Sequence, residues 1–205
     1  DSAGQQLLYA SYLGGTESES PHSLVMNSKE ELIVLGTTSS PDFPTTLNAY
    51  DRSFDGGPVV GGVVVPYRRG ADIFVARVNM TGTTLLSSTL LGGNGNDGMN
   101  PLYGDLEKNY GDQLRGDVIT DADNNIYISS VTSSLDFPAI NGLDSSYNGG
   151  TTDAVLAKLK PDLTELVWST FLGGAGTDAS LTVKFDKTGN ILVGGGTTSS
   201  DFPIT

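Results

Sequence analysis

The run Gly92-Gly93-Asn94-Gly95-Asn96-Asp97-Gly98-Met99 has the spacing Gly-Gly-x-Gly-x-Asp-x-hydrophobic. In that spacing one carboxylate and several turn carbonyls can surround a calcium ion. Gly173-Gly174-Ala175-Gly176-Thr177-Asp178 keeps most of it, and Gly14-Gly15-Thr16-Glu17-Ser18-Glu19 keeps an acid at the same offset. Asp97, Asp178 and Glu19 are therefore the metal candidates, with calcium as the ion and no other cofactor implied. Calcium-binding turns of this pattern work in tandem and share ligands, whereas these copies begin at residues 14, 92 and 173. An ordinary inter-strand turn whose glycines adopt positive φ is the simpler reading.

Other residues of chemical interest read as structure. Asp121-Ala122-Asp123-Asn124-Asn125 starts like an EF-hand loop, but Thr132 stands at the twelfth position, where a bidentate Glu belongs. Asn27-Ser28-Lys29-Glu30-Glu31 and Asp186-Lys187-Thr188-Gly189-Asn190 are its equivalents, and all three read as hairpin turns. Asp42, Asp136 and Asp201 each precede Phe-Pro, as a carboxylate capping backbone N–H groups would. His22 has Gly116 and Leu181 at its equivalent places, so it reads as a loop histidine rather than a base. Trp168 matches Tyr9 and Ser87 and reads as packing, with sugar stacking as the alternative.

Composition excludes whole classes of function. The 205 residues hold no cysteine and one histidine, which removes disulfides, thiolate sites and His-rich zinc sites. With 24 acidic and 11 basic side chains the net charge is −13, which excludes a nucleic-acid binder and disfavours an anionic membrane surface. No apolar run approaches the roughly 20 residues of a membrane helix, so membrane insertion is not expected.

The elements that must position these residues come from repetition. Leu7-Leu8-Tyr9-Ala10-Ser11-Tyr12-Leu13-Gly14-Gly15 returns as Leu85-Leu86-Ser87-Ser88-Thr89-Leu90-Leu91-Gly92-Gly93, then as Leu166-Val167-Trp168-Ser169-Thr170-Phe171-Leu172-Gly173-Gly174. Asp-Phe-Pro recurs at residues 42, 136 and 201, and Asp72-Ile73-Phe74-Val75-Ala76-Arg77-Val78 matches Asp153-Ala154-Val155-Leu156-Ala157-Lys158-Leu159. The whole chain, 1–205, reads as one segment of three units: 7–79 with an insertion at 58–70, 85–160 with an insertion at 98–115, and a truncated 166–205.

Each unit should hold four short strands, led by its Leu-Gly-Gly strand, which makes eleven candidates in this chain. Val, Ile, Tyr, Phe and Thr fill the runs, and Gly, Asn, Asp and Pro fill the gaps. In Asp72–Val78 both faces are apolar, which asks for a sheet covered on both sides. The expected fold is all-β: a β-propeller of four-stranded antiparallel blades, about three of them present and the last incomplete. Closing such a ring needs further blades, from a longer chain or from other subunits.

These linked motifs resemble the SBBP repeat, named for a seven-bladed β-propeller. They are Tyr/Trp-x-x-Tyr/Phe-Leu-Gly-Gly, Asp-x-x-Gly-Asn-Ile-hydrophobic, Thr-x-Ser-x-Asp-Phe-Pro and Asp-Ala-hydrophobic-x-Ala-Lys-Leu, and they cover nearly all 205 residues. Residues 27–31 and the two insertions depart from the pattern. The resemblance implies a secreted or surface-exposed bacterial protein, extracellular in location, with no active-site residues to carry over.

The insertions differ between units, and loops on a rigid frame carry specificity. Val63, Tyr67 and Arg68 in the first, with Tyr103 and Tyr110 in the second, are the binding-loop candidates, facing a protein or a glycan. The expected function is a non-enzymatic scaffold or binding module for adhesion, assembly or ligand capture. A polysaccharide hydrolase or lyase using paired carboxylates, and a surface-filament subunit, are the alternatives.

Overall fold

The computed structural model describes residues 2–61, 66–100, 104–108 and 111–204. Among the described residues ten strands form three antiparallel sheets, and one short helix is a 3₁₀ turn at Asp112–Leu114. The first sheet has the order β1 (Glu19–Met26), β2 (Leu32–Thr38), β3 (Asp72–Val78), β4 (Leu85–Leu91). The second repeats it with β5 (Asp117–Thr120), β6 (Ile126–Thr132), β7 (Asp153–Leu159), β8 (Leu166–Leu172). The third holds two strands, β9 (Asp178–Phe185) and β10 (Ile191–Thr197). Among the described residues no helix is long and apolar enough to cross a membrane.

The all-β expectation holds, but the sheets are out of phase with the sequence units. The Leu-Gly-Gly strand closes the sheet before it: β4 pairs with β3, and β8 with β7. The reason is turn length. A tight connection, with Gly82 donating its N–H to Asn79 O at 2.9 Å and Leu163 doing the same to Lys160 O at 3.0 Å, forces those strands to be antiparallel neighbours. Gly-Gly then carries the chain to the next sheet. Residues 9–13, expected as a strand, have no ladder partner among the described residues; Tyr9 lies against the turn at Gly82, and Leu13 packs half-buried beside Phe43 and Phe74. The described residues form three separate sheets and no closed ring.

β3 and β7 are buried on both faces along most of their length, as their doubly apolar sequence requires. Between the first two sheets, Ile33, Leu35, Ile73 and Val75 meet Val118, Ile126, Ile128 and Val155. Each such fully buried side chain contributes roughly 1.5–3 kcal/mol. Phe43 stacks on Phe74 at 4.5 Å across the other face of the first sheet. Ile119, Tyr127 and Val183 begin the junction of the second and third sheets.

Candidate functional site

The three turn acids sit in one device, built three times. After each Leu-Gly-Gly, one backbone N–H points at the turn acid and the next two point at side chains of the same unit's Thr-x-Ser-x-Asp segment. In the second unit Gly93 donates to Asp97 at 2.8 Å, Asn94 to Asp136 at 2.9 Å and Gly95 to Ser134 at 2.8 Å. In the third, Gly174 donates to Asp178, Ala175 to Asp201 and Gly176 to Ser199. In the first, Gly15 donates to Glu19, Thr16 to Asp42 and Glu17 to Ser40. The turn acid also accepts hydroxyls: Thr132 and Ser134 on Asp97, Ser199 on Asp178, Thr38 and Ser40 on Glu19. Asp-Phe-Pro and Gly-Gly are thus two halves of one clasp, and the expected N–H capping by Asp42, Asp136 and Asp201 is what the structure has.

Two clasps contain a second acid. Asp72 opens β3 and Asp153 opens β7, and both are fully buried. A Cβ placed on Gly92 would lie within 3 Å of both Asp72 and Asp97, and one on Gly173 would be as close to Asp153 and Asp178. Only glycine fits between such carboxylates. Burial pushes Asp72 up to about 7 and Asp97 up to about 8, the charge of Asp72 adding to the second. Asp153 rises to about 6 by burial, with Asp178 adding. One oxygen each of Asp153 and Asp178 is buried without a partner.

Glu19, Asp97 and Asp178 belong to three separate clasps, and among the described residues no three metal-binding side chains gather at one point. Around Asp97 stand N–H and O–H donors, whereas calcium needs oxygen lone pairs. Dialysis against EDTA followed by millimolar calcium is expected to leave the melting temperature within about 1 °C. A calcium-dependent rise of about 5 °C would show that an ion enters a clasp.

The hairpin turns behave as read. Asp121 Oδ1 accepts the N–H groups of Asp123 and Asn125, and Asp186 and Asn27 do the same in their turns. Glu30 and Asn124 take φ of 61° and 64°, where the third unit has Gly189.

The insertions depart from the picture of open contact loops. Tyr67 is fully buried and packs with Ala71 and Met99, against Val60 and Leu114, so the two insertions close on one another. Its hydroxyl meets Thr37 Oγ1 at 2.9 Å. Tyr67 is therefore a core residue, because an aromatic ring next to an apolar run finds more area inside than out. Tyr67→Phe is expected to cost about 1 kcal/mol and Tyr67→Ala about 3–5 kcal/mol in urea melts. Arg68 is exposed, as a contact residue must be. Val63, Tyr103 and Tyr110 lie outside the described residues. A cleft of about 350 Å³ opens beside the first insertion, with Val59, Val60, Asn96, Asn100, Ser133 and Thr151 among its lining.

Two features escaped sequence reasoning. Asp117 joins the first strands of all three sheets, accepting from Ser23 on β1 and from Thr182 and Lys184 on β9. Its neighbours show no matching motif, so only the fold reveals it. His22 is the extra residue of a bulge in β1, between Pro21 and Ser23. Burial pushes it down to about 4, so it is neutral at physiological pH, with Nε2 at 3.3 Å from Thr37 Oγ1. Trp168 packs edge-on against Tyr127, with centroids 6.1 Å apart.

No family model and no curated protein matches this chain.

Proposed function

We propose that the chain is a segment of an SBBP-type β-propeller that serves as a non-enzymatic scaffold and binding module on a bacterial surface or in a secreted protein. The observation that carries this reading is the division of labour among the polar residues. Acids that recur in each unit are consumed by the clasps, while the cleft beside the insertions belongs to one place only. That cleft offers amide and hydroxyl groups over an apolar floor of valine, a surface suited to a glycan or a polar protein loop. A polysaccharide hydrolase or lyase needs two acids that reach substrate, and Asp72, Asp97, Asp153 and Asp178 are closed to solvent. Asp117 differs between units, as a catalytic acid would, yet five donors already occupy it. Its carboxyl is held below the usual range by those donors, Lys184 first among them, against an opposing effect of burial.

The test is a binding screen of the purified chain on arrayed surface polysaccharides and on host and bacterial surface proteins. Val59→Asp and Arg68→Ala change exposed side chains at the insertions without touching the core. Each is expected to weaken capture about tenfold or more with an unchanged melting temperature. Release of reducing sugar or unsaturated ends from any polysaccharide would overturn the non-enzymatic reading.

A further inference from the structure

A groove between the second and third sheets stands open where its counterpart between the first and second is filled. Leu143, Leu156, Trp168, Phe171, Ile191 and Val193 are among the residues around this cavity of about 780 Å³. In the third sheet β10 pairs with β9 alone, so its other edge has no ladder partner among the described residues.

The filled junction shows what belongs there. β6, the counterpart of β10, pairs with β7 in a register that runs from Thr132↔Asp153 to Ile126↔Leu159. β2 pairs with β3 in the same way, from Thr38↔Asp72 to Leu32↔Val78. The β7–β8 hairpin then packs back on the first sheet. Tyr50 donates its N–H to Leu163 O at 2.8 Å, and Arg77 donates to Pro161 O at 2.9 Å. Leu163, held at φ 60° in the turn, is fully buried by this packing. One unit later Leu143 stands in the place of Tyr50, and Lys158 in that of Arg77. Leu143 is 96% exposed, and Ile191 and Val193 are half-buried, whereas their counterparts Ile126 and Ile128 are fully buried.

We infer that this groove is a docking site for one β-hairpin of the β7–β8 kind, supplied by a further repeat. Its first strand reads Asp, three mostly apolar residues, Ala, Lys or Arg, and a final apolar residue. It pairs with β10 in the register Thr197↔Asp to Ile191↔final apolar residue. An apolar turn residue, the counterpart of Leu163, covers Leu143, and Lys158 donates to a turn carbonyl as Arg77 does. A second copy of these residues is not the donor, because both of its hairpins of this kind are already built into complete sheets. The inference rests on the repeat-scaffold reading but concerns a different face from the insertion cleft.

The experiment extends the 205-residue chain after Thr205 with a second copy of residues 141–174, beside a control carrying the same residues scrambled. The extended chain is expected to melt about 5 °C or more above the control. Trp168 emission should shift to the blue by several nanometres, and binding of an anilinonaphthalene sulfonate dye should fall severalfold. An extension that leaves all three readings equal to the control overturns the inference. So does a dimeric unextended chain that Leu143→Glu makes monomeric, since that assigns the groove to a second copy. Neither result alters capture through Val59 and Arg68, so failure here is distinct from failure of the binding reading.

Discussion

Asp97→Ala is expected to cost about 3–5 kcal/mol in urea unfolding, one of the largest single-residue effects in the chain. The Gly93 N–H and the Thr132 and Ser134 hydroxyls all point at this carboxyl in a fully buried place. Each such buried donor left without an acceptor costs about 1–3 kcal/mol, and relaxation or an entering water recovers part of that. Asp136→Ala removes the outer half of the same clasp, where the carboxylate is exposed and water can replace it. Its expected cost is about 1 kcal/mol. Asp97→Asn keeps an acceptor and a similar shape, and should fall between the two. Equal costs at the inner and outer positions would show that the clasp is not the source of stability.

Raising the pH from 5 to 9 is expected to destabilise the fold. Asp72, Asp97 and Asp153 hold their protons up to about 7, 8 and 6, all above the ordinary value of 3.8. A carboxyl that binds its proton more tightly folded than unfolded stabilises fully below the ordinary value. That contribution is lost as pH climbs through the folded value. The loss should therefore run from about pH 4 to about pH 8 and reach on the order of 3–5 kcal/mol, or roughly 10 °C in melting temperature. Asp72 and Asp97 titrate jointly, so their contributions do not add. Asp42, Asp117, Asp121, Asp136 and Asp186 are shifted the other way by the hydrogen bonds they accept. Their contribution disappears in acid, which places the optimum near pH 5. Differential scanning calorimetry across this range checks the profile, and Asp97→Asn should flatten its alkaline limb. A melting temperature that is constant from pH 5 to 9 would count against protonated carboxyls at Asp72, Asp97 and Asp153.

Much of this was legible in the residues, because strand content follows from local composition and the repeats align the strands. Asp72–Val78 and Asp153–Leu159 were placed to the residue, since an acid and a turn bound each apolar run. The sheet boundary was not legible. Which sheet the Leu-Gly-Gly strand joins depends on the tightness of the turn before it and on what it packs against, and neither is written in the strand. The clasps were half visible: three acids at one offset marked a shared role, but their hydroxyl partners stand 19 to 37 residues away. Tyr67 was placed on the surface because its partners, Met99 and Leu114, lie in the other insertion. Asp117 left no periodic trace at all.

The offset between sheet and repeat has a consequence for how such chains gain or lose units. The second and third sequence units each span a joint, giving their first strand to one sheet and their clasp to the next. Excising one unit at any breakpoint therefore removes one sheet's worth of strands and rejoins equivalent halves of the joint. Recombination need not find the boundaries of a folded body, because the lattice of pairings is the same after the cut as before it. Such a chain can change length by whole steps while every remaining seam is still stitched.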